Sequence, residues 1–125
     1  MRIDVAVRRL DQSLQRLAWQ ADRQVEHVAR WRVGPDELAL EFDDAFRVAL
    51  GLVAQGLLPE SVGTLLRPVD QILAEMTEGS AEAWTTDAVA HSPAWERLRS
   101  TAREALGTLR GLGLSSSAQD STAGP

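Results

Sequence analysis

Between residues 3 and 31, apolar side chains recur in steps of four and three, at Ile3, Val7, Leu10, Leu14, Leu17, Ala21 and Val28. That spacing lines one seam of a helix and does not fit the period of two that a half-buried strand needs. The segment is therefore expected to fold as one long helix from residue 3 to about 31, burying its seam against other elements. Gln24 interrupts the seam and Trp31 lies near its end. Gly34 and Pro35 then stop this helix and open the next, with Asp36 and Glu37 placing negative charge where the helix dipole favours it.

The same periodicity continues. Leu38, Phe42, Ala45, Phe46, Ala49 and Val53 form a stripe on a second helix, 36 to 54, with Gly56 as its C-terminal stop. A third helix starts near Pro59 and buries Val62, Leu65, Leu66, Val69, Leu73 and Met76; Pro68 inside it predicts a kink or a split, and Gly79 its end. Residues 80–92 form a long connection containing Trp84 and one helical turn near Asp87–Ala90. Ser92 and Pro93 read as an N-cap and first helical position. The last helix carries Trp95, Leu98, Ala102, Ala105, Leu106 and Leu109 and ends near Gly111. Strand signals are missing throughout, so the expected fold is all-α. It is a four-helix bundle over residues 1–112, with a long first helix, a kinked third helix and a low-complexity, disordered tail over 113–125.

Composition narrows the function classes. A chain of 125 residues suits one domain, and the absence of cysteine excludes a disulfide framework or a thiolate metal site. No segment has the length and apolarity of a membrane span, and the N-terminus lacks the apolar core of a signal peptide, so a cytoplasmic protein away from membranes is expected. The net charge of −5 argues against nucleic acid as a partner. The charge is uneven. Residues 1–32 hold seven arginines against four carboxylates, while residues 33–110 hold six against thirteen.

Within the first segment Arg2, Arg9, Arg16, Arg23 and Arg30 recur every seven residues, a stripe beside the seam, with Trp19 between Arg16 and Arg23 and roughly opposite the seam. A solvated helix face explains such a stripe; so does a docking surface for an acidic partner, because Trp and Arg dominate binding hot spots. On the second helix, Glu37, Glu41 and Asp44 share one flank. They either form a solvated face turned towards the first helix or steer a basic partner. Asp70 borders the third stripe and needs a donor, for which Arg67, Arg99 and Arg103 are the candidates. Trp84 either plugs the end of the bundle or anchors a partner, and the plug is favoured.

Catalytic equipment is missing from the pattern. Gly51, Gly56 and Gly63 do not make a phosphate loop, Ser61 and Ser92 have no matched His and Asp, and His27 and His91 are not in Glu-x-x-His pairs. The expectation is a non-enzymatic chain with no metal and no cofactor.

Two stretches, Asp36-Glu37-Leu38-Ala39-Leu40-Glu41-Phe42-Asp43-Asp44 and Trp84-Thr85-Thr86-Asp87-Ala88 with Pro93-Ala94-Trp95-Glu96-Arg97-Leu98, resemble small uncharacterised actinobacterial helical proteins, some encoded like immunity partners of polymorphic toxins. The resemblance spans residues 36–110 loosely and carries no catalytic motif. It implies an immunity- or antitoxin-like inhibitor of a partner protein, a basic toxin, with Glu37, Glu41 and Asp44 steering and Trp19, Arg16, Arg23 and Trp84 in contact. Two alternatives stand beside it: a homodimer or assembly adaptor using the first seam, and a bundle that binds a small ligand.

Overall fold

The computed structural model describes residues 2–114, and over these the chain is all-helical. Six α-helices follow in order: α1 Ile3–Ala18, α2 Ala21–Trp31, α3 Asp36–Ala54, α4 Glu60–Glu78, α5 Thr86–His91 and α6 Pro93–Gly111, with a 3₁₀ turn at Ala81–Trp84. α1 lies against α3 and α6, and α4 against the same two, so these four helices close a ring. α2 packs against α5.

The ring is built largely from the expected stripes, except that Val53, Leu65 and Leu106 are only half-buried while Leu52, Ile72 and Arg99 are buried in addition. Leu10, Leu14 and Leu17 of α1 share one core with Phe42, Leu66, Leu98 and Leu109, all without solvent exposure. From Val7 to Leu17 the seam of α1 is buried within its own chain. Trp95 is fully buried and its indole Nε1 donates to the Ala83 carbonyl at 2.8 Å. The ends of α3 and α6 also follow the local signals. Gly56 adopts φ +75°, and Leu57 N–H reaches back to the Leu52 carbonyl at 2.9 Å, closing α3 with a left-handed residue. Ser92 Oγ accepts from Ala94 N–H, with Pro93 opening α6.

Three expectations change. The single long first helix is two helices, parted where Trp19 and Gln20 are both extended (ψ 154° and 152°). A straight helix over 3–31 would run ~43 Å, against ~29 Å for the 19-residue partners α4 and α6, leaving its last turns without a neighbour. The break turns residues 21–31 back so that Val28 is buried. Second, α2 ends at Trp31, where the helix end was expected, but the residue that closes it is Arg32 and not Gly34: Arg32 takes φ 54°, and Val33 N–H bonds the Val28 carbonyl at 3.1 Å. A left-handed non-glycine residue costs about 1 kcal/mol, so the local sequence alone does not choose this stop. Third, of the kink or split expected at Pro68 the split does not occur: α4 runs unbroken through it with Pro68 on the exposed side. There the missing N–H frees the Thr64 carbonyl on a face open to solvent.

The expected tail begins with Gly113, but Leu114 still packs against the core. The remainder of that tail, from residue 115, lies outside the described residues.

Candidate partner-binding surfaces

The break between α1 and α2 organises the most distinctive surface. Gln24 is fully buried, and its Nε2 donates to the carbonyls of Arg16 and Leu17, both at 3.0 Å. These are last-turn carbonyls of α1, left without partners when the helix stops. The Oε1 of the same amide accepts from Arg99 Nη1 at 2.9 Å, and that nitrogen also donates to the Val89 carbonyl at 3.0 Å. Arg99, only 4% exposed, ends on Glu96 through Nη2 at 3.0 Å. One buried chain of hydrogen bonds therefore joins α1, α2, α5 and α6. An interruption in the apolar seam is thus the side chain that makes the bend possible.

Outside this anchor, α2 turns an aromatic and cationic face to solvent. Arg23 lies 4.2 Å from the centroid of the Trp19 ring, a cation–π contact of about 0.5–1 kcal/mol in such a setting. His27 meets Trp19 edge-on at 5.3 Å and Trp31 at 6.5 Å. Trp31 is 64% exposed, far beyond what packing needs. With Glu26 and Arg30 these side chains line a shallow depression. The guanidinium groups of Arg23, Arg30 and Arg32 make no hydrogen bond or ion pair among the described residues, so their donors are free. Partial burial, with the Arg16 charge, holds the His27 imidazole below its ordinary pKa, and Glu41 opposes the shift.

The seven-residue arginine stripe does not survive as one surface, because the break at Trp19 and Gln20 divides it. Arg2 pairs with Asp4 at 3.0 Å. Arg16 reaches across to Glu41 of α3, both half-buried, so these two expected contact residues neutralise each other. Arg9 lines a cleft between α1 and α3 with Glu41 and Asp44. Asp44 and Glu37 are exposed and have no ion pair among the described residues, whereas Asp43 pairs with Arg47 at 2.9 Å.

Trp84 sits edge-on against Trp95 at 5.9 Å and packs on the core, which is the plug geometry. Asp70 does not obtain the arginine expected for it. Arg99 is drawn to Gln24 instead, and no ion pair to Asp70 occurs among the described residues; half-buried, it lines a groove between α3 and α4. The ring's other cross-links are Asp11 with Arg110, bidentate at 3.0 and 3.1 Å, and Glu75 with Arg97 at 3.2 Å. Burial works against ionised Asp11, but hydrogen bonds from Arg110 and Gln15 and the Arg110 charge outweigh it and keep the carboxyl below its usual range.

Among the described residues no group of three or more His, Asp or Glu side chains is placed to hold a metal ion, and no helix is long and apolar enough to cross a membrane. Sequence reasoning named Trp19 and Arg23 but missed His27 and Trp31. The signal was present: Trp19, Arg23, His27 and Trp31 follow at steps of four, one ladder on a helix face.

Comparison of the chain with protein-family models, with curated proteins and with solved structures finds no match in any of the three.

Proposed function

We propose that this chain is a non-enzymatic protein-binding module, of the immunity or antitoxin kind, that holds a partner protein by the outward face of α2. The observation that carries this reading is Trp31, largely exposed and continuous with His27, Trp19 and the ring-stacked Arg23. An indole left in water gains on being covered, and a guanidinium already held over a ring loses less entropy when it grips a carboxylate. Glu37 and Asp44 on α3, with the chain's net negative charge, speed encounter with a partner of net positive charge. The partner then offers local carboxylates to Arg23, Arg30 and Arg32. Arg16, Glu41 and Trp84 serve the fold in this reading.

The test is co-expression with the protein encoded beside it, followed by gel filtration and a titration. Trp31→Ala with Arg23→Ala raises the dissociation constant by about 100-fold, as loss of two hot-spot residues does, while helicity by circular dichroism stays the same. A complex held equally well by that double variant takes α2 out of the interface. A native chain that binds neither this neighbour nor any other host protein removes the reading altogether.

A further inference from the structure

We propose that the groove between α3 and α4 is a second docking surface, separate from α2, and that its occupant is a basic amphipathic helix of a partner protein. The groove is lined by Leu40, Leu73 and Ala74 together with the carboxylates of Asp43, Asp70 and Glu78, and encloses about 360 Å³. Leu40 and Asp43 lie one turn apart on α3, and Asp70, Leu73, Ala74 and Glu78 follow one stripe of α4, so apolar and acidic groups alternate along both walls. Leu40 is 51% exposed. Ten residues further on, Leu50 is also exposed and leans towards α4 beside Gly63, its Cδ2 being 3.6 Å from where a Cβ on Gly63 would lie. Two exposed leucines ~15 Å apart along α3 fit three turns of a docked helix better than an ion or a small molecule.

Charge fixes the sign of the occupant. Asp70 and Glu78 have no ion pair among the described residues, and Asp43 holds only the exposed Arg47. Three carboxylates against one guanidinium leave a negative groove with an apolar lining. An occupant with an aliphatic stripe flanked by Arg or Lys matches it on both counts: leucine side chains cover Leu40 and Ala74 while the cations meet Asp70 and Glu78. This surface needs nothing from Trp31 or Arg23, so it stands or falls apart from the α2 reading.

The test uses the full chain and a fluorescent synthetic peptide about four turns long, with a helical leucine stripe flanked by arginines, titrated by anisotropy at two salt concentrations. Asp70→Asn with Glu78→Gln weakens binding by about ten-fold and flattens the salt dependence, and Leu40→Asn weakens it comparably at either salt. Glu82→Gln with Glu104→Gln, which removes the same charge from other faces, and Trp31→Ala each change binding by less than about two-fold. A peptide of equal composition with its leucine stripe scrambled binds about ten-fold more weakly. Equal losses from the two charge pairs, equal binding of the scrambled peptide, or no saturable binding would overturn the proposal. So would self-association by sedimentation that Asp70→Asn with Glu78→Gln abolishes, since the groove would then belong to a second copy of this chain.

Discussion

The ring of α1, α3, α4 and α6 and the α2–α5 end hold their places by different chemistry. In the ring each helix buries five or more residues, nearly all apolar. α2 buries only Gln24 and Val28, and α5 only Val89. A buried leucine contributes about 1.5–3 kcal/mol without regard to direction. The amide of Gln24 and the guanidinium of Arg99 act only at set distances and angles, and each removed partner strands another buried polar group. One region is held by area, the other by geometry. The second arrangement leaves α2 with its aromatic face outward and little apolar surface committed to the core.

That contrast is open to attack at three points. The largest effect is expected at Leu14, without solvent exposure in the ring. Leu14→Ala costs about 3 kcal/mol in urea denaturation, with α1, α3, α4 and α6 lost in one transition. Gln24→Leu comes next at about 2 kcal/mol, because it strands the Arg16 and Leu17 carbonyls and the Arg99 donor. Hydrogen exchange then speeds at amides in Ala21–Trp31 and Thr86–His91 while those of α4 keep their protection. If all helices lose protection together, the two regions are one cooperative unit and the contrast fails.

The smallest effect is at His27. Its pKa is lower folded than unfolded, so as pH falls through about 6.5 the unfolded chain takes up the proton first. Stability therefore declines on acidification from neutral pH and levels off once the folded imidazole is protonated. His27→Gln removes that decline, and thermal melts at pH 7.5 and about 5.5 measure it. The same slope in the variant would assign the pH response to another group.

How far the sequence spoke depends on the range of the forces involved. The stripes of α3, α4 and α6 and the stops at Gly56, Gly79 and Ser92–Pro93 were legible, since each rests on residues within a turn or two of each other. The end of α2 falls at Trp31 as the pattern implies, but the residue that closes it was not legible, because Arg32 accepts a conformation that glycine would take at less cost. The break at Trp19 and Gln20 has no glycine or proline to announce it. Its cause lies in Gln24 and Arg99, 75 residues apart. The α2 face is half legible: Trp19 and Arg23 stand out in the sequence, yet Trp31 reads as the end of a seam that the fold ends thirteen residues earlier.

Periodicity and local turn chemistry thus determined, from the chain alone, that this protein is helical and which stripes are buried. They act through neighbours along the backbone, which sequence order supplies. Tertiary structure alone decided where the first helix bends, and that Arg16 meets Glu41 while Asp70 meets no arginine among the described residues. Those outcomes depend on distances of a few ångströms between segments far apart in the chain, and no spacing along the sequence encodes them.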